Sequence, residues 1–461
     1  MVAAFKNVSR LEDSGSLGQH NADPKPLRCA YSYFHRNPSM SKNYKWILVG
    51  MLWFVCFFNY ADRQAISSVL PLLAGEFHFD EVQLGWIGSA FAWVYAAAAP
   101  IAGVAADRFS RKWLIVVACI AWSFFTLATG WCGGLISLVA VRALTGLGET
   151  FYFPSAMSLL SGYHGERTRS LALSWHQSSV YAGTILGSWL AAELAEKAGW
   201  RVPFYLFGPV GIVLALVLMR FLREPERGFG EGSSAKKEDR HRQTESRLSV
   251  GRTLGVIFRT PSAMLLMGGF LCANFVAVVF LTWTPKFLVD KFHYSIGAAG
   301  LTGTLYVHLA SALTVPFAGW LADRLSRRFP AGRMLVQGGG LVLGATFVFI
   351  VGSTPDTPTL LLAMTCFGVC KGFYDSGIFA ALYDVIEPRA RGTAAGIMNT
   401  IGWGGGALGP LAVGIATKYG RHENAVDNMS EAIAFGAVIY IIGATLLFTA
   451  AYFHTKRVGL R

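Results

Sequence analysis

A succession of long apolar stretches, separated by short polar connections, limits what this chain can fold into more than any other feature. A helix needs about 20 mainly apolar residues to cross a bilayer. About twelve such stretches follow one another, at 46–72, 84–105, 113–133, 135–161, 170–194, 203–222, 263–288, 298–321, 333–353, 358–385, 393–417 and 431–454. Composition points the same way, with 53% of the 461 residues hydrophobic, 15% charged and a mean hydropathy of +0.43. Lipid offers no partner to a backbone N–H or C=O, so each segment must satisfy its own as a helix. The expectation is an all-α polytopic membrane protein with 12 transmembrane helices.

The formal charge of +13 invites a nucleic-acid reading, but its distribution excludes one. Basic residues collect in alternate connections: Arg108, Arg111 and Lys112, then Arg167 and Arg169, then Lys236, Lys237, Arg240 and Arg242, then Arg324, Arg327, Arg328 and Arg333, then Arg389 and Arg391. The connections between them are sparse in charge or acidic, as at Glu76, Asp80 and Glu81. By the positive-inside rule the basic side is cytoplasmic and carries both termini. Residues 1–43 are polar without an apolar centre, which predicts a cytoplasmic tail and no cleavable signal peptide. The cysteines fall mostly inside apolar stretches, where small packing residues are expected and a metal site is not. Neither a nucleotide-binding loop nor a nucleophile–base constellation is present, so the sequence predicts no enzyme and no cofactor.

The chain also repeats itself. Gly103-Val-Ala-Ala-Asp107-Arg108-Phe-Ser-Arg111-Lys112 returns as Gly319-Trp-Leu-Ala-Asp323-Arg324-Leu-Ser-Arg327-Arg328. A second pair keeps the register: Gly146-Leu-Gly-Glu149-Thr-Phe151-Tyr152 parallels Gly368-Val-Cys-Lys371-Gly-Phe373-Tyr374. Two homologous six-helix halves follow, 44–222 and 259–455, joined by a charged linker at 223–258 and ending in a short tail at 456–461.

The duplicated Gly-x-x-x-Asp-Arg-x-x-Arg-Lys loop resembles the signature of the major facilitator superfamily. Physically, Gly103 and Gly319 let helices approach closely. Asp107 and Asp323 cap neighbouring helices, while Arg108, Arg111, Arg324 and Arg327 pair with acids in a lock that breaks and re-forms as the halves move. A finer likeness is to the anion:cation symporter branch, with its sugar-acid permeases and sialin relatives. It is carried by Asn59-Tyr60-Ala-Asp62-Arg63, Arg142-Ala-Leu-Thr-Gly146-Leu-Gly-Glu149, Gly199-Trp200-Arg201-Val-Pro-Phe204-Tyr205 and Phe280-Leu-Thr-Trp283-Thr-Pro285. The first two segments also resemble spinster-type lipid transporters, and a nutrient receptor that keeps the fold but only signals is a third possibility.

Asp62 and Arg63 fall near the middle of the first span, where a charge costs at least about 2.5–3.5 kcal/mol unless it meets a partner or a wet cavity. Arg142 and Glu149, two helical turns apart, share one face of the fourth. Arginines in a partly dry cavity suit a carboxylate, so Arg63 and Arg142 are the expected anion contacts. Asp62 and Glu149 are the candidates for reversible protonation, a division that the resemblance also implies. Permanent ion pairs with Arg142 are the structural alternative. Further lining candidates are Tyr95, Gln177, Asn274, Lys371, Tyr374, Asn399 and Trp403, with His176 and His308 more distant ones. Trp403 stands where the branch often carries a second polar residue, and it suits either a bulkier or partly apolar anion, such as an aromatic acid, or an ordinary packing role. Lys371 has Asp375 one turn away, yet its register opposite Glu149 also predicts a pair across the cavity. The reading is of a multi-pass, monomeric, proton-coupled symporter of a small organic anion in a bacterial inner membrane.

Overall fold

The computed structural model describes residues 44–224, 250–387 and 390–459. The expected tail at 1–43 and most of the expected linker at 223–258 lie outside them.

Every regular element among these residues is helical. The first half holds α1 (Tyr44–Phe77), α2 (Glu81–Arg108), α3 (Arg111–Thr129), α4 (Leu135–Thr150), α5 (Tyr152–Tyr163), α6 (Glu166–Ala198) and α7 (Val202–Phe221). A short helix, α8 (Val250–Phe258), falls within the stretch assigned to the linker. The second half holds α9 (Pro261–Phe292), α10 (Ile296–Ser326), α11 (Gly332–Ser353), α12 (Thr357–Asp375), α13 (Ile378–Val385), α14 (Arg391–Tyr419) and α15 (Ala425–Gly459). With α4–α5 and α12–α13 each forming one broken rod, twelve rods stand as two six-helix halves. Among the described residues, nine rods are long and apolar enough to cross a membrane on length and composition alone. The others are α6, α12–α13 and α14, which carry Gln177, Lys371, Asp375 and Trp403 of the cavity lining.

Local chemistry sets the ends. Asp80 closes a capping box on α2, accepting from the Gln83 amide at 2.9 Å while its own amide donates to Gln83 Oε1 at 3.0 Å. Ser110, Ser295 and Asp356 cap α3, α10 and α12 through their side-chain oxygens. The two described non-glycine residues with positive φ, His78 at 52° and His293 at 55°, end α1 and α9 at matching places in the repeat. Helix α15 continues past the expected boundary at 455, with Lys456 and Arg457 favourably placed against the negative end of its dipole.

The fourth and tenth spans are broken where single helices were expected. The break at Phe151 follows Glu149 by two residues, and the break at Ser376–Gly377 follows Asp375 directly. Thr150 Oγ1 donates to the Gly146 carbonyl at 2.6 Å and Ser376 Oγ to the Phe373 carbonyl at 3.0 Å, back-bonds that bend a helix.

The halves meet along two symmetry-related seams, α2 against α14 and α6 against α10. A Cβ on Gly85 would lie 2.8 Å from the Pro410 carbonyl oxygen, and one on Gly414 would lie 2.3 Å from that of Glu81, so the first seam brings backbone almost onto backbone. Its hydrogen bonds include Leu411 N to Ser89 Oγ at 3.1 Å, and Trp283 of α9 donates to the Pro410 carbonyl at 3.0 Å. Lys418 closes the end of this seam on Asp80 at 2.8 Å. On the second seam Ser188 Oγ donates to the Gly300 carbonyl at 2.8 Å, and Glu196 takes the Gly297 amide at the start of α10 at 2.6 Å. Each seam therefore ends in a carboxylate of the first half held by the second.

At the opposite end, which carries the duplicated loop, the described ion pairs stay within one half. Arg333 bridges Asp323 and Asp384 at 2.6 Å each. Arg111 donates to the Ser158 carbonyl and, through its amide, to Glu224. Arg108, Arg324 and Arg327 are exposed, and the Asp107 side chain falls outside the described residues. The close approach expected of Gly103 and Gly319 is absent, for a Cβ on either would meet nothing within 4 Å. No surface packs on those glycines in this structure.

Candidate functional site

Between the halves lies a cavity of about 210 Å³. The first half lines it with Arg63 and Gln64 of α1, Phe91 of α2, Arg142 of α4 and Gln177 of α6. The second contributes Asn274 and Leu281 of α9, His308 of α10, Lys371 and Asp375 of α12, and Trp403 of α14. These positions sit far apart in sequence, and the pseudo-symmetric packing of the halves brings them together.

Arg63 is the centre of the first-half wall. Its Nε and Nη2 both donate to Glu149 Oε2, at 3.0 and 2.6 Å. The Glu149 side chain has no exposure whereas that of Arg63 keeps 12%, so the guanidinium stands between the carboxylate and the cavity. Four aromatic rings surround it: its central carbon is 4.6 Å from the Tyr60 and Phe91 centroids, 5.1 Å from Trp403 and 5.3 Å from Tyr95. Arg142 lies over Phe91 at 5.1 Å and donates to the Arg63 carbonyl at 3.4 Å. Asp62, one residue from Arg63 and thus on another face of α1, is buried behind the cavity wall and accepts from Thr126 at 3.3 Å.

The opposite wall is also charged. Lys371 is ion-paired with Asp375 one turn along α12. His308 lines the cavity with its Nδ1 against the Thr304 carbonyl at 3.0 Å, which places the proton on Nδ1 and leaves Nε2 an acceptor. The cations Arg63, Arg142 and Lys371 are thus matched in number by the acids Asp62, Glu149 and Asp375.

Several expected residues lie elsewhere. Glu149 pairs with Arg63 and Lys371 with Asp375, so the pair expected across the cavity is not made; each charge finds a nearer partner in its own half. Tyr374, 2% exposed, turns into the core of the second half, and Asn399 is half-buried outside the lining. Tyr95 does not line the cavity but packs on Arg63 and Trp403. Asn274 lines it with its amide nitrogen committed to the Phe270 carbonyl at 2.9 Å. His176 is fully buried against the Tyr152 hydroxyl at 3.0 Å, away from the cavity. Tyr60 and Phe91 were not anticipated. Tyr60 precedes Arg63 by three residues on one helix face, a spacing that carries the signal; nothing local marks Phe91.

A bundle of membrane-length helices in two repeated halves, with charged groups facing a central cavity, defines a polytopic membrane transporter. The chain belongs to the Major Facilitator Superfamily, whose family model matches residues 52–410. It is 28% identical over 439 residues to the "Probable galactarate/D-glucarate transporter GudP" of Bacillus subtilis (strain 168), covering 87% of this chain and 91% of that one. It is 28% identical over 399 residues to the "4-hydroxybenzoate transporter PcaK" of Acinetobacter baylyi, covering 81% and 85%. In fold it matches a solved bacterial homologue of the human lysosomal transporter spinster, in an inward-facing and unoccupied conformation, with a TM-score of 0.79 at 21% identity over 90% of this chain and 98% of that one. Family and relatives are transporters, not enzymes.

Proposed function

We propose that this protein is a secondary transporter that carries a small organic carboxylate together with protons across a bacterial inner membrane. The observation that carries this reading is the order Glu149, Arg63, cavity. Arg63 gives two N–H groups to Glu149, and an incoming carboxylate needs the same guanidinium. Protonation of Glu149 removes the competing charge and frees Arg63 for the ligand; loss of that proton restores the pair and expels the ligand. Asp62, buried behind the same wall, is the second proton carrier. The names of the relatives above, acting on sugar diacids and on an aromatic acid, support an organic anion for this chain. The three cations that line the cavity, Arg63, Arg142 and Lys371, suit an anion.

With the basic loops and both termini cytoplasmic, the closed seams face outward and the open end faces inward. Alternating access then requires the seams to part as the duplicated loops close. Transport by a monomer is sufficient for this cycle. Proteoliposomes test the reading: an inward proton gradient should drive concentrative uptake, and an uncoupler should abolish it. Accumulation that survives the uncoupler would remove proton coupling, and ligand binding without any flux would indicate a receptor.

A further inference from the structure

The proposed function leaves open which carboxylate enters, and the rings around Arg63 bear on that. Tyr60 and Phe91 from the first half and Trp403 from the second all line the cavity. Trp403 reaches across to lie 4.9 Å from Tyr95 and 6.5 Å from Phe91. The cationic group is therefore framed by π-faces, and a ligand carboxylate directed at it brings its adjoining carbon atoms among those faces. Arg142 Nε is buried without a hydrogen-bond partner, and Arg63 Nη1 makes no well-formed hydrogen bond, with the Tyr95 hydroxyl near the Arg63 guanidinium. Both belong to residues that line the cavity, and neither atom has an anionic acceptor.

Beyond the frame the wall is largely apolar or already committed. Ala92, Val180, Ala277 and Leu281 contribute hydrocarbon, the Gln64 amide nitrogen is spent on the Leu281 carbonyl at 2.6 Å, and the Thr184 hydroxyl on that of Val180 at 2.8 Å. A polyhydroxylated acid presents a donor and acceptor at nearly every carbon, and each that is left unsatisfied weakens binding. A flat ring presents none. Polar capacity remains at a few lining positions, Ser67, Thr282, Gln177 and His308 Nε2 among them.

We propose that Tyr60, Phe91 and Trp403 make this site selective for a carboxylate borne on an aromatic ring, with a polar ring substituent directed to Gln177 and His308. The proposal rests on the organic-anion reading and narrows it. Each well-oriented pair of rings changes affinity by roughly 2- to 12-fold, so three such contacts discriminate strongly.

The test compares three probes on the purified full-length chain, by thermal shift and by competition in proteoliposome uptake: 4-hydroxybenzoate, trans-4-hydroxycyclohexanecarboxylate and D-gluconate. The second keeps the ring's size and its hydroxyl without the planarity or π-faces; the third is a polyol acid. Binding of 4-hydroxybenzoate at least tenfold tighter than either of the others is expected. Trp403→Leu should bring 4-hydroxybenzoate down to the level of the saturated ring acid, and Trp403→Phe should restore most of the difference. If the rings serve only to hold Arg63, the two ring acids will bind alike and Trp403→Leu will weaken both equally, which overturns the proposal. Tighter binding of gluconate, lost in Arg63→Lys, overturns it too but leaves the organic-anion reading standing. Should none of the carboxylates bind, that reading falls and the aromatic selectivity with it. The comparison of probes on the unmodified chain decides the matter even if the variants fail to fold.

Discussion

At the scale of single residues, Arg63 has one guanidinium for two successive carboxylates, and this shapes what substitution should do. Arg63→Lys keeps the charge but loses the planar fork that gives two N–H groups to Glu149 Oε2. A charge-assisted hydrogen bond contributes about 1.5–3 kcal/mol, so affinity for the transported anion should fall about 10- to 150-fold, measurable by isothermal titration. Glu149→Gln should separate binding from driving. It removes the competing charge permanently, so exchange of labelled for unlabelled anion should continue while accumulation in a pH gradient falls to what Asp62 alone can couple. A Glu149→Gln variant that concentrates its ligand as well as the unmodified chain would remove Glu149 from the coupling. The sequence made Asp62, Arg63, Arg142 and Glu149 legible because charge inside an apolar span is conspicuous. Which carboxylate meets which cation was not legible. Register places Glu149 and Lys371 at equivalent positions but carries no information on nearer partners, and Asp375 and Arg63 won on distance.

At the scale of elements, the two seams and the two broken spans are where the proposed cycle needs movement. Asp80 and Glu196 close equivalent seams with different chemistry, one on the Lys418 ammonium and one on the Gly297 amide. Asp80→Asn and Glu196→Gln should each loosen their seam, and amide hydrogen exchange at residues 81–92 and 410–418 should quicken, most in the double variant. Unchanged exchange would leave the seams to glycine packing alone. Partial burial pushes the Asp80 carboxyl up, but hydrogen bonds from Lys418 and from the Gln83 amide outweigh it and hold the group below the usual carboxylate range. That contact is accordingly complete above the ordinary carboxylate value of about 4 and is lost only as pH falls through Asp80's own lower value. It does not titrate near neutrality. Any midpoint of uptake between pH 6 and 8, a range about 2 units or more above that value, should survive Asp80→Asn and shift in Glu149→Gln. Gly103 and Gly319, now facing open space, should tolerate valine in this conformation while the variants fail to close the other end. Ligand binding with abolished transport would be the signature.

At the scale of the whole molecule, two halves were legible because a ten-residue segment is copied with its glycine, acid and base in place, and twelve spans because apolar length is hard to disguise. The state of the molecule was not, since the proposed cycle requires the same sequence to satisfy both a closed and an open arrangement of those loops. Charge matching across the cavity has a consequence of a different kind. With His308 uncharged, the three cations and three acids around the empty cavity sum to zero, so reorientation of the unloaded protein should be indifferent to membrane voltage. If Asp62 and Glu149 each take a proton and one monovalent carboxylate enters, the loaded protein carries one net positive charge, and its passage becomes electrogenic. One elementary charge is worth about 2.3 kcal/mol per 100 mV, which corresponds to roughly a 50-fold gain in accumulation at an interior-negative 100 mV. Uptake into proteoliposomes clamped with potassium and valinomycin should show that dependence. Uptake blind to voltage would mean that only one of the two acids exchanges its proton in the cycle, making the membrane potential a direct counter of protons per anion.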